Sequence, residues 1–122
     1  MFVTKRVYEE ASPEDGKRYL VDRLWPRGVK KETAALDGWL KSLAPSDALR
    51  KWAHSGPFPW EEFKKRYQDE LTVPEARGKM ERLREESRAG RVTLLFAAKD
   101  PLRNNAVCLK EILEQEEWPR IS

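Results

Sequence analysis

Apolar and polar side chains alternate along Phe2-Val3-Thr4-Lys5-Arg6-Val7-Tyr8, a period of two that predicts an edge or half-exposed strand. The next stretch, SPEDGK at 12–17, places Pro, Asp and Gly in a turn-like order. Residues 18–24, RYLVDRL, then form a short and mostly apolar core strand through Tyr19, Leu20, Val21 and Leu24. It stops at Trp25-Pro26-Arg27-Gly28, because proline cannot extend a hydrogen-bonded ladder. Residues 34–44, AALDGWLKSLA, fit a short helix or a strand, and Gly38 weakens the helix. A helix is clearer from Pro45-Ser46-Asp47: Ser46 suits the N-cap and Asp47 the positive end of the macrodipole. It ends at Ser55-Gly56-Pro57.

A second helix spans roughly 59–71 and stacks Trp60, Phe63, Tyr67 and Leu71 along one stripe. A third starts near Pro74, presents Ala76, Met80 and Leu83, and stops at Gly90. The unbroken apolar run RVTLLFAA at 91–98 predicts a central strand covered on both faces. A last helix buries Leu109, Ile112 and Leu113. Two core strands separated by helices and followed by another favour crossover connections and a parallel pair. The expected fold is therefore α/β, a partly parallel sheet flanked by helices. No repeat, low-complexity tract or Gly/Ser linker divides the chain, so residues 1–122 are expected to form one domain.

Composition narrows the picture. Charged residues make up 37% of the chain and hydrophobic ones 39%, and five Trp, four Phe and three Tyr supply ample apolar area for a core. No apolar run approaches the roughly 18 residues of a membrane span, and MFVTKRVYEE lacks the layout of a secretory signal. The single cysteine, Cys108, excludes an internal disulfide and fits a reducing compartment. A cytoplasmic protein is expected. Few Asn, Gln, Met and Cys beside many Glu, Lys and Arg resemble thermophile composition. The net charge of +3 and the pI near 9.1 lean towards anionic partners. Yet 24 basic residues stand against 21 acidic ones, without the one-sided block of a polybasic nucleic-acid arm.

In open α/β sheets, ligands bind beyond the carboxyl ends of the parallel strands. That rule points to Asp22 through Gly28 and to Lys99 through Asn105. The first segment combines a carboxylate, the guanidiniums of Arg23 and Arg27, and the indole of Trp25. Arginine forks suit phosphate or carboxylate, and an indole stacks on a base or a cation. The plainer alternative pairs Asp22 with an arginine and buries Trp25 in the core. In the second segment, Asp100 would cap a helix opening on Pro101, and its free N–H groups, reinforced by Lys99 and Arg103, would attract an anion. Asp100 satisfying those donors itself is the plainer alternative there.

The runs VDRLWPRG (21–28), LDGWLKSLAPS (36–46), LRKWAH (49–54), WEEFKKRYQDEL (60–71) and VTLLFAAKD with NNA (92–100, 104–106) resemble the YeaO-like branch of domain of unknown function 488, over nearly the whole chain. The resemblance implies an α/β sheet domain and carries no activity or residue role with it. One departure is Ala53, where members of the family often place an aromatic residue between the Trp and the His of LRKW-x-H.

His54 is the only histidine and the only side chain whose ordinary titration lies near neutrality. A lone His after a helix is more often structural than catalytic. One Cys and one His give no zinc spacing, and no metal or cofactor is expected. Cys108 inside the last helix reads as an inert thiol, Ser46 as a cap, and the tryptophans at 39, 52 and 60 mostly as core. The chain has neither a phosphate-binding P-loop nor a G-x-G-x-x-G after a strand.

Two functions stay open. In one, Arg23, Arg27, Lys31, Lys99, Arg103 and Asn104 hold a small anionic ligand, such as a nucleotide or nucleobase derivative, with Trp25 against its ring. Asp22 is then the first candidate acid or base, with Asp37 and His54 in reserve, and turnover is left open. In the other, the same groups form a nucleic-acid-binding or regulatory surface that stacks on unpaired bases. Concavity separates the two. The strands at 18–24 and 91–98 are expected to be parallel, with their carboxyl ends facing one cleft.

Overall fold

The computed structural model describes residues 1–115, so the expected domain over 1–122 extends past the described part. Four strands form one sheet: β1 (Phe2–Arg6), β2 (Lys17–Leu20), β3 (Gly38–Trp39) and β4 (Val92–Phe96). Five helices accompany them: α1 (Lys31–Ala34), α2 (Asp47–His54), α3 (Trp60–Glu70), α4 (Pro74–Ala89) and α5 (Asn105–Leu113). The strand order is β1-β4-β2-β3. Every pairing is parallel, with Phe2 and Lys17 both in register with Val92, and Tyr19 with Gly38. The fold is a small α/β domain whose sheet is wholly parallel. No described helix is long and apolar enough to cross a membrane.

β4 holds the centre. All five of its residues are buried, as its unbroken apolar run predicts, while β1 lies at an edge. Val92, Leu94 and Phe96 point to one face and meet Leu49 and Ala53 of α2, Phe63 and Tyr67 of α3, Met80 and Leu83 of α4, and Leu109 and Ile112 of α5. The stripes expected on these helices are buried, Tyr67 and Met80 completely, except that Trp60 stays half-buried.

The opposite face carries no long helix. Val7, Leu20 and Leu95 are covered by Trp25, Val29 and Leu36 from the chain between β2 and β3, and by Trp39 of β3. Beside them lies a buried charge network. The Asp15 carboxylate accepts from Lys5 Nζ at 3.0 Å and pairs with the Arg18 guanidinium. Arg18 also donates through Nε to the Ala35 carbonyl (3.0 Å) and through Nη2 to that of Ala34 (2.9 Å), which ties α1 to the sheet. Thr93 Oγ1 donates to the Asp15 carbonyl at 2.7 Å.

Three sequence expectations change. The strand expected over 18–24 ends at Leu20. Val21 N–H still donates to Leu95 O, but the next β4-side donor, Ala97 N–H, goes to the Asp22 carboxylate at 2.9 Å, so a side chain ends the ladder. The ambiguous 34–44 segment divides between α1, the two-residue β3 and a 3₁₀ turn at Lys41–Leu43. Gly38 allows β3 to approach, because a Cβ there would stand 3.2 Å from the Tyr19 ring. Finally, the last helix opens at Asn105 and not near Asp100. Asp100 Oδ1 accepts from Leu102 N–H at 2.9 Å, a local bond that favours a turn over a helix. Asn104 is the N-cap, with Oδ1 accepting from Val107 N–H at 2.9 Å.

Candidate functional site

Because β2 and β4 run in parallel, the segments that leave them emerge side by side at one end of the sheet. They enclose, with α2 and the start of α3, a cleft of about 520 Å³, within the usual size of small-ligand sites. Leu24, Trp25, Pro26, Ala53, Phe58 and Phe63 supply much of its apolar wall. Five cationic side chains, those of Arg23, Arg27, Arg50, Lys99 and Arg103, face two carboxylates, Asp22 and Asp100. The field inside is positive on balance.

Asp22 lies nearest the sheet. Its Oδ2 accepts from Ala97 N–H (2.9 Å) and its Oδ1 from Asn105 Nδ2 (3.1 Å), and Asn105 Nδ2 also reaches Val21 O at 2.9 Å. None of the ion pairs among the described residues includes Asp22, so the pairing with an arginine weighed from the sequence does not form. Burial pushes its carboxyl above the usual range, while the bonds from Asn105 and Ala97 pull the other way. A carboxyl held this way can accept from a ligand N–H or O–H, or exchange a proton closer to neutrality than an exposed Asp would.

The first turn is built around Gly28, whose φ of +79° is the left-handed conformation glycine adopts without strain. Val29 N–H closes it on Pro26 O, as in a turn of type II. Arg27 therefore sits exposed at the corner. Arg23 is held more firmly: it is half-buried, and its Nε donates to Pro45 O at 2.9 Å. Trp25 lines the cleft, but its Nε1–H donates to Val29 O at 2.7 Å and its ring packs edge-on against Trp39, 5.3 Å between centroids. It serves the core of the loop-covered face and the cleft wall together.

In the second turn, Lys99 and Arg103 are exposed, while Asn104 spends its side chain on the backbone, donating to Asp100 O and capping α5. His54 ends α2 on the cleft wall. Two of the expected residues stand apart. Asp37 lies at the start of β3, where Oδ2 accepts from Arg18 N–H at 2.8 Å. Lys31 sits outside the cleft lining, its ammonium 5.8 Å from the centre of the Trp25 ring.

Arg50, Phe58 and Phe63 line the cleft beyond the expected site residues, Phe63 being expected only in the buried stripe of α3, and Asn105 closes the segment to which the sequence already points. Arg50 and His54 are four residues apart on α2, one helical turn, and so share a face. That spacing is the available signal for Arg50; for Asn105 it is its place at the end of the segment that follows β4. The Arg50 Nε is a buried polar atom with no hydrogen-bond partner in the protein, an arrangement that costs about 1–3 kcal/mol for a buried donor.

Fold and site together define a small, all-parallel α/β domain with a basic, aromatic-walled cleft at the carboxyl ends of its strands. The chain matches the family described as the inactive DUF488-N3 subclade over residues 1–120, and it belongs to that family. It is 44% identical over 109 residues to the uncharacterized protein YeaO of Escherichia coli K12, covering 89% of this chain and 93% of the relative. It is 40% identical over 110 residues to the uncharacterized protein Rv3073c of Mycobacterium tuberculosis H37Rv, covering 88% and 89%. No solved structure matches.

Proposed function

We propose that this chain binds a small anionic ligand with a flat ring, of the nucleotide or nucleobase type, in the cleft at the ends of β2 and β4. The carrying observation is the pairing within one concavity of the cations Arg23, Arg27, Lys99 and Arg103 with apolar walls from Trp25, Phe58 and Phe63. Arginine forks take the anionic group, the aromatic walls take the ring, and Asp22 accepts from a ring N–H or a sugar hydroxyl. The word inactive in the family description favours binding without turnover. If there is turnover, Asp22 is the acid or base, with His54 next to hand; Asp37 is not among the residues that line the cleft. The cleft's concavity supports this reading over a flat nucleic-acid surface.

Titration with nucleoside monophosphates and free nucleobases, followed by thermal shift and calorimetry, tests the proposal. A ligand at one hundred times its dissociation constant stabilises the fold by about 2.7 kcal/mol. Arg23→Ala should weaken binding by roughly 2–4 kcal/mol, because its anchored guanidinium is half-buried. Arg27→Ala, at the exposed corner, should cost about 1 kcal/mol or less. A pocket should lose little affinity between low and physiological salt, whereas a nucleic-acid surface loses it steeply. Absence of any shift across the panel would sink the reading.

A further inference from the structure

Arg50 is a half-filled fork. The edge of a guanidinium that grips carboxylates and phosphates bidentately consists of Nε and one terminal nitrogen. On Arg50 the terminal nitrogen Nη2 touches Asp47 Oδ1 at 3.4 Å, a long contact from a carboxylate whose side chain is 62% exposed. The neighbouring Nε is buried and has no acceptor in the protein. The Arg50 side chain as a whole is 29% exposed and forms part of the cleft wall.

We propose that Arg50 is the principal anion-holding residue of the cleft, and that Asp47 competes with the ligand for it. A phosphate-bearing ligand takes the Nε–Nη2 edge in a two-bond grip, and the guanidinium turns from Asp47 into the cleft as it does so. The gain is largest at this position because Nε acquires an acceptor that the protein itself does not provide. Arg23 differs, since Pro45 O already occupies its Nε. The inference rests on the reading of the cleft as an anion site and adds to it the residue that grips and the residue that opposes.

The two roles predict opposite effects. With phenyl phosphate as the probe, Arg50→Lys keeps the charge but removes the fork, and affinity should fall about tenfold or more. Asp47→Asn frees the edge and should raise affinity several-fold. The Nε–H resonance of Arg50 in nitrogen-15 spectra should move on saturation. Melting curves identify any variant that fails to fold, and Arg50→Gln provides a second fork-free variant. If phenyl phosphate binds the natural protein while both Arg50 variants bind it equally well and the resonance stays still, this inference is overturned and the cleft reading survives. If Asp47→Asn leaves affinity unchanged or lowers it, the competition is overturned. If neither phenyl phosphate nor any nucleoside monophosphate binds the natural protein, both readings fall together.

Discussion

The two faces of the sheet solve the same problem in different ways. One is covered by α2 to α5, and its contacts are almost wholly apolar, from Leu94 and Phe96 to Met80 and Leu109. The other has no long helix to cover it. It relies on Trp25 and Trp39 and on a buried carboxylate, Asp15, held between Lys5 and Arg18. Apolar packing is tolerant in direction, whereas an ion network is satisfied only while every partner is in place. The loop-covered face is thereby the more exacting of the two, and it is the one that fixes the chain leading from the cleft's first turn to β3.

The largest test of that contrast is Arg18→Ala. Removing it leaves the buried Asp15 carboxylate with Lys5 as its one ion-pair partner beside the Ser12 N–H and frees the carbonyls of Ala34 and Ala35, so unfolding free energy should fall by about 3–5 kcal/mol in denaturant titration. A loss below 1 kcal/mol would mean that the network contributes little. On the helical face, Leu94→Ala should cost about 2–5 kcal/mol through the cavity it leaves, with no dependence on pH.

The acid response separates the faces further. Burial alone would raise the Asp15 carboxyl, but bonds from the Ser12 backbone, Lys5 and Arg18 outweigh it and hold the group below its ordinary value. A depressed folded value means the stabilisation is complete above the unfolded carboxylate range and is lost as pH falls through the folded value. Asp15→Asn should therefore flatten the acid limb of the stability–pH curve, and Leu94→Ala should shift the whole curve down in parallel. The smallest effect belongs to the cleft's second turn. Asn104→Ala should cost about 1 kcal/mol as a lost cap, more than Asp100→Ala, which touches only an exposed turn; equal losses would return the cap to Asp100.

The helical face was legible in the sequence because its signal is periodic. Trp60, Phe63, Tyr67 and Leu71 recur at helical spacing, and the run at 92–96 is apolar but for Thr93, as suits a strand buried on both faces. The location of the cleft was legible too, since it follows from the parallel pairing of β2 with β4. Its finer make-up was not. Asp100-Pro101 carries a good helix-start signature, yet Asp100 bonds its own turn and Asn104 caps instead; both residue types cap well, and only the surrounding packing chooses between them. Nothing in the strand pattern marks Arg18, because its partners at 15, 34 and 35 come together only in three dimensions. Arg50 was hidden for the same reason, its helix being brought to the cleft by packing and not by sequence proximity.

The strand order also constrains when the protein can fold. β4 lies between β1 and β2, yet ninety-odd residues pass before it is made: Phe2 pairs with Val92. A ribosome releasing this chain presents β1, β2 and β3 first, and until residues 92–96 emerge β1 has no neighbour to pair with. Contacts so distant in sequence slow folding, because the chain must close long loops before they are rewarded. Helices α2 to α4 can form early but lack the sheet surface on which they pack. Synthesis interrupted before β4 should yield a fragment with no stable core, open to proteases, and the completed chain should acquire its sheet and its cleft in a single late step.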